Sequence, residues 1–348
     1  MKVGIVAANN IRISPYVFPY TKLLDEMGIE YDVLFPNRNI NMVDIYRFNT
    51  INVPWKNRNR KIANFYDYSK KIKNLCKDKY DFLIILTTVN GVFFYPWLKK
   101  YYSNKYILDI RDYTYENNLL YFEVEKRLIK RAKSVVISSP KYKHFLPKGD
   151  YTVMHNINNI DNDEYSFCLN EGRLRIGYVG SISYRNQCEK IIDLVNNDDR
   201  FELHFYGDGV DRIYLENYAQ KYNNSRIKFH GPYLQEEKDD IIEQIDIIFN
   251  AYGNGKPLLD YALSNKLYDA LKHHKLLLTS PNTYMNEVGG PLAYPINFDN
   301  NSLDGLYIWY KQINKDIIDS YSRKTLDSVK RENEKTRRLL EKVLCSQE

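Results

Sequence analysis

Cysteine is scarce in this chain, and long apolar runs are missing. Its 348 residues include four cysteines, Cys76, Cys168, Cys188 and Cys345, with no CxxC spacing among them. That argues against a disulfide framework and a zinc site and suits a reducing compartment. No segment reaches the ~20 consecutive apolar residues of a spanning helix. The opening stretch, Met1 to Asn9, is apolar too briefly for a signal peptide. A cytoplasmic protein, soluble or peripheral on the inner face of the cell membrane, is therefore expected. No credible metal cluster is present either. Asp161-Asn162-Asp163 matches the DxD metal motif, but it sits in an asparagine-rich loop rather than at the end of an apolar strand, so no metal is expected.

What is present is length, apolar content and uneven charge. A chain of 348 residues exceeds the usual single domain, and 44% hydrophobic residues suffice for two cores. The 32 tyrosines accompany frequent Asn, Ile and Lys, which reads as compositional drift. Residues 1–165 hold 26 Lys and Arg against 17 Asp and Glu, whereas the remainder is net −3. That asymmetry points the first half at an anionic surface or ligand. Two aromatic-basic stretches, Trp55 to Lys61 and Phe93 to Tyr102, could meet an anionic membrane; the second also reads as a crossover helix.

Strand and helix alternate twice. In the first half the apolar runs Val3–Ala8, Asp32–Phe35, Phe82–Thr87, Tyr106–Asp112 and Ser134–Ser138 read as strands, the third buried on both faces. Helices are expected at about Tyr16–Met27, Ile62–Cys76 and Leu119–Arg131, with another restarting at Ser139-Pro140; residues 38–60 read as irregular. A polar stretch, residues 157–171, reads as a linker. The alternation then restarts with Arg175–Val179 running into Gly180-Ser181, Glu202–Tyr206 into Gly207-Asp208-Gly209, and Ile227–His230 into Gly231-Pro232-Tyr233. Glycine after a strand lets backbone amides approach a phosphate.

The most informative unit runs from Asp246 to Ser280. A buried strand, Asp246–Ala251, leads through a polar loop, Tyr252 to Tyr261, to a helix opening at Ser264, and a strand at Lys275–Ser280 follows. Open α/β sheets bind ligands at such strand ends. Ser264 is a plausible N-cap, so the first-turn amides would face an anion, with Asn265 and the Lys266 charge beside them. Asp269 lies one turn on, where it can address the same ligand.

Asn265-Lys266-Leu267-Tyr268-Asp269-Ala270-Leu271 resembles the donor-site helix of GT-B glycosyltransferases of the family 4-like, bacterial polysaccharide-biosynthesis type. There a lysine lies near the donor diphosphate, and an acid, here Asp269, lies on the ribose. The ordered strand-glycine set resembles the family's donor domain. Asp109-Ile110-Arg111-Asp112, the helix with Glu125, Ser139-Pro140 and His155-Asn156 resemble its acceptor domain.

The resemblance implies two Rossmann-like, doubly wound parallel-sheet domains facing a cleft, at 1–165 and 166–325, with a C-terminal helix over 326–348 crossing back. It implies transfer of a sugar from a nucleoside diphosphate donor, UDP first among them, to a glycan or polyprenyl-diphosphate-linked acceptor. The nucleotide sugar is a co-substrate; no cofactor and no nucleic-acid partner are expected. Gly180, Ser181, Tyr233, Ser264, Asn265, Lys266 and Asp269 would bind the donor. Arg185 and Lys266 would stabilise the departing diphosphate, and Asp112 would supply a base. The chain departs from the family in three places. Asn9, Asn10 and Arg12 stand where a glycine-rich loop is usual, Tyr261 stands eight residues before Asp269 where an acid is usual, and Arg185 alone remains of an Arg/Lys pair. Rival readings on the same fold are a nucleotide-sugar epimerase and a non-catalytic sugar-nucleotide-binding protein.

Overall fold

Alternating apolar strands and half-apolar helices form two parallel sheets. The structure, a computed structural model, describes residues 1–9, 14–37, 50–54, 61–76, 78–157 and 165–346. The chain divides into two compact units, Met1–Asn158 with Arg331–Glu348, and Asn159–Lys330. Asn10, Arg12, Trp55, Lys56, Arg58, Arg60 and the Asp161–Asp163 motif lie outside the described residues.

In the first unit the strands are β1 (Lys2–Val6), β2 (Glu30–Asn37), β3 (Thr50–Pro54), β4 (Phe82–Leu86), β5 (Tyr106–Ile110), β6 (Ser134–Ile137) and β7 (Thr152–Val153). They pair in parallel in the order β3-β2-β1-β4-β5-β6-β7. Four crossover helices accompany them: α1 (Phe18–Glu26), α2 (Lys61–Cys76), α3 (Thr88–Tyr101) and α4 (Leu119–Arg131). β4 and β5 are buried at every residue, as strands covered on both faces must be.

Two expectations change here, and a third stretch takes one of its two readings. Part of the stretch read as irregular is β3, which pairs in parallel with β2 (Val33 opposite Thr50, Phe35 opposite Asn52). Its strand character comes from that pairing, and Pro54, with no N–H to give, is tolerated because β3 is an edge. The helix expected at Ser139-Pro140 is only a five-residue 3₁₀ turn, Pro140–His144. Phe93–Tyr102 falls in the crossover helix α3, with Phe94 and Leu98 buried and Trp97 packed on Tyr102, ring centroids 4.7 Å apart.

The second unit carries β8 (Leu174–Val179), β9 (Phe201–Tyr206), β10 (Ile227–Gly231), β11 (Ile247–Asn250), β12 (Leu276–Thr279) and β13 (Ala293–Pro295). They too pair in parallel, in the order β10-β9-β8-β11-β12-β13, so chain direction across the sheet reverses between β8 and β11. Helices α5 (Arg185–Asn196), α6 (Arg212–Gln220), α7 (Lys238–Glu243), α8 (Pro257–Tyr261), α9 (Asn265–Lys272), α10 (Tyr284–Gly289) and α11 (Asp304–Lys311) complete it. α8 was not expected: Pro257 opens a short helix inside what reads as a polar loop, because its fixed φ suits a first turn.

The 31-residue helix α12 (Lys315–Cys345) ends the chain. Its first half belongs to the second unit, where Asp319 Oδ1 accepts from the Phe167 amide at 2.7 Å. Its last part belongs to the first unit. There Leu340 and Leu344 join the core, and Glu332 meets the His155 ring at 2.8 Å.

Candidate functional site

Loops after β8 and β11 flank the point where the second sheet reverses, the place at which open α/β sheets take ligands. Gly180 leaves β8 at φ +120°, a conformation that side chains rarely adopt. A Cβ built there would lie 3.7 Å from the Lys266 ammonium, so the lysine reaches back from α9 to this glycine. The structure thus brings Gly180 and Lys266 together. The Tyr178 hydroxyl donates to the Ser181 carbonyl at 2.8 Å and pins the turn. Gly207 (φ +131°) and Gly209 serve a different end: a Cβ on either would collide with the Gly180 or Ile182 carbonyl, at 2.0 and 2.1 Å. Their bareness lets neighbouring loops stack. The Gly180 amide donates to the Tyr206 carbonyl and the Ile182 amide to that of Asp208, both at 2.9 Å.

Lys266 sits at the second position of α9, its ammonium 4.6 Å from the Tyr178 ring centroid and 5.2 Å from that of Tyr252. Tyr252 in turn stacks on Tyr184, centroids 4.2 Å apart and planes 11° off parallel. Burial lowers the Lys266 pKa to about 8, with Asp269 drawing it up and Lys238 pushing it down. An ammonium over aromatic faces gains cation–π attraction but no counter-charge. Among the described residues Lys266 has no ion-pair partner.

The other expected residues are arranged less simply. Ser264 holds the N-cap backbone geometry, but its hydroxyl donates to Asn250 Oδ1 at 2.9 Å and does not accept from the first-turn amides. Asn265, beside it, is exposed. Asp269 Oδ1 accepts from the Lys238 ammonium at 2.7 Å, and its charge, after burial, raises the pKa of the nearby Tyr233 to about 12. Asp269 and Tyr233 therefore lie within electrostatic reach of one another. Arg185 points elsewhere: its guanidinium covers the Tyr214 ring at 3.8 Å and donates to Asp211 Oδ1 at 3.1 Å. Asp260 accepts from the Gly255 amide at 2.8 Å and so shapes the loop after β11.

In the first unit the Asp-x-Arg-Asp segment separates into two parts. Asp109 and Arg111 form a buried pair at 2.6 Å, with the Tyr20 hydroxyl on the same carboxylate oxygen at 2.7 Å and Arg111 also donating to the Met154 carbonyl at 3.2 Å. Burial pushes the Asp109 pKa up against the pull of Arg111 and Tyr20. Asp112 makes no part of this pair and is exposed. Its pKa is raised by the surrounding protein, with Arg111 opposing and Asp109 reinforcing. Glu125 is fully buried in α4 with neither carboxylate oxygen bonded among the described residues, and burial pushes its pKa to about 8. No group of three or more His, Cys, Asp or Glu suited to a metal is present among the described residues. No described helix is long and apolar enough to cross a membrane.

Three participants escaped the sequence reading. Tyr178 and Tyr252 were hidden because tyrosine is so common in this chain, and Lys238 because it stands 31 residues from Asp269.

No protein-family model matches the chain, and no curated protein matches it by sequence. Solved structures do match in fold. Sucrose-phosphate synthase from Thermosynechococcus elongatus superposes with a TM-score of 0.77 at 13% identity, covering 99% of this chain and 100% of that one. HepE of Anabaena in complex with UDP gives a TM-score of 0.71 at 11% identity, covering 98% and 100%. The lipopolysaccharide outer core galactosyltransferase WaaB gives 0.62 at 14% identity, covering 94% and 99%. The chain has the two-domain GT-B fold of these structures.

Proposed function

We propose that the protein is a glycosyltransferase that moves a sugar from a nucleoside diphosphate donor, UDP-sugar foremost, to a glycan or polyprenyl-diphosphate-linked acceptor in cell-surface polysaccharide synthesis. One observation carries this reading. A lysine ammonium is held against a positive-φ glycine by two tyrosine faces, at the sheet's reversal point, without a carboxylate partner among the described residues. Such an arrangement awaits an anion, and the amides at the start of α9 add the positive end of a helix dipole. The UDP held by HepE, a protein of the same fold, agrees with a diphosphate in this role.

In the reaction the sugar–diphosphate bond breaks and negative charge grows on the departing phosphate. Lys266 and the amides of Gly180, Ser181 and the first turn of α9 stabilise that charge without needing a metal, and Asp269 with Tyr233 receives the nucleoside. Asp112 is our choice for the base that takes the acceptor proton. The donor is screened by following nucleotide release from a panel of UDP-, GDP- and ADP-sugars, with and without EDTA. Release from one nucleotide class, insensitive to EDTA, is expected; no release from any donor, or loss of activity in EDTA restored by Mn²⁺, overturns the reading. The cationic first half further favours residence on an anionic membrane surface. Co-sedimentation with anionic but not neutral vesicles at low salt is expected, and equal binding to both removes that part.

A second reading has one observation behind it. Asp260 is tied to the Gly255 amide, and Tyr261 occupies the place where the family carries an acid. Calorimetric binding of a nucleotide sugar with no turnover on any acceptor would favour a binding protein without catalysis.

A further inference from the structure

The acid on α9 is an aspartate, one methylene shorter than a glutamate, and it does not stand alone. The Lys238 ammonium, at the start of α7, lies 2.7 Å from Asp269 Oδ1, and both side chains are mostly buried, 18% and 17% exposed. No hydrogen bond to Asp269 Oδ2 is present among the described residues. The ammonium is brought there by a run of ion pairs that join the same two helices. Asp239 meets Lys272 at 2.7 Å and the His273 ring at 3.0 Å, while Glu243 meets that ring on its other nitrogen at 2.7 Å. The His273 ring, just after α9, is wholly buried and ties the end of that helix to both of these carboxylates of α7. Tyr233, in the loop between β10 and α7, lies within electrostatic reach of Asp269.

We infer that Lys238 is a positioning residue for the nucleotide's ribose, holding the Asp269 carboxylate by one oxygen so that the other is presented to the sugar hydroxyls of the nucleoside. This rests on the nucleotide-sugar reading given above. A shorter carboxylate reaches less far, and an ammonium bound to one oxygen limits its rotation. A charged acceptor makes the stronger hydrogen bonds to hydroxyl donors. Removing the ammonium leaves the carboxylate free to turn away, and the cost falls on ligands that carry ribose hydroxyls.

The test compares UDP with 2′,3′-dideoxyuridine diphosphate by titration calorimetry on the full chain, for the wild-type protein and for Lys238→Ala and Lys238→Arg. The wild type is expected to prefer UDP by about ten-fold or more, the worth of at least one hydrogen bond to a charged group. Lys238→Ala should bring UDP affinity down to that of the dideoxy ligand while leaving the dideoxy ligand's own affinity unchanged, which also shows that the variant is folded. Lys238→Arg, which can reach the same oxygen, should restore most of the preference. A preference retained in Lys238→Ala overturns the inference, as does an equal weakening of both ligands. A wild type that binds both ligands equally also overturns it while leaving the diphosphate site standing. A wild type that binds neither removes the nucleotide-sugar reading and this inference with it.

Discussion

Charged residues stand near strand ends in both units, yet they are treated in opposite ways. In the first, Asp109 and Arg111 neutralise one another at 2.6 Å with Tyr20 completing the group, and the pair is sealed in the core. In the second, Lys266 is held between aromatic faces, and its pKa falls to about 8 because burial is not compensated by a close anion. The first arrangement is a charge-balanced piece of scaffold, although Asp109 Oδ1 and Arg111 Nε keep no hydrogen bond among the described residues. The second, on the function proposed above, is a charge available to a ligand. The lesson concerns the partner rather than the residue: a charge at a strand end signals a ligand site when its neighbours decline to neutralise it.

The largest effect is expected where the comparison is broken on the scaffold side. Arg111→Ala leaves Asp109 buried without its counter-charge and should cost about 3–5 kcal/mol of stability, read from the urea midpoint. A loss below about 1 kcal/mol would mean the pair is not structural, and the contrast with Lys266 would fail.

Breaking the other side should act on binding instead. Lys266→Ala is expected to weaken UDP by about 1.5–3 kcal/mol, the worth of a lost charged hydrogen bond, with unfolding unchanged or slightly harder because a partly desolvated cation has gone. An unchanged UDP dissociation constant would take Lys266 out of the site.

Titration sharpens the comparison with the smallest signal. A diphosphate bound beside Lys266 raises its pKa above the free value of about 8. The lysine's contribution to binding is therefore complete below pH 8 and is lost as pH climbs through the bound pKa. UDP affinity should fall between pH 7 and pH 9.5, by at most about ten-fold per unit, while the ligand's own phosphate, with a second pKa of about 6, stays ionised throughout. The slope should vanish in Lys266→Ala. The same slope in the variant would assign the titration to another group.

Much of the architecture was readable before any coordinates. Apolar runs such as Phe82–Leu86 and Leu276–Thr279 are buried on both faces, and α4 spans the same Leu119–Arg131 that its pattern marks. Such elements are legible because burial and periodicity are local properties of the sequence. β3 was not legible, since its five residues become a strand only by pairing with β2. The donor-like segment was visible as a motif, but its motif did not reveal what each side chain would hold.

What the sequence determined by itself is therefore the double alternation of strand and helix, the two apolar cores and the placing of Gly180 at a strand end, Lys266 at a helix start and Asp269 one turn further on. Tertiary structure alone decided their use. It turned Arg185 toward Asp211 and Tyr214, drew Lys238 across 31 residues to Asp269, and enclosed the Lys266 ammonium between Tyr178 and Tyr252. The physical reason is that charge interactions depend on distance and burial in space. Neither is set by spacing along a chain that folds back on itself between every pair of strands.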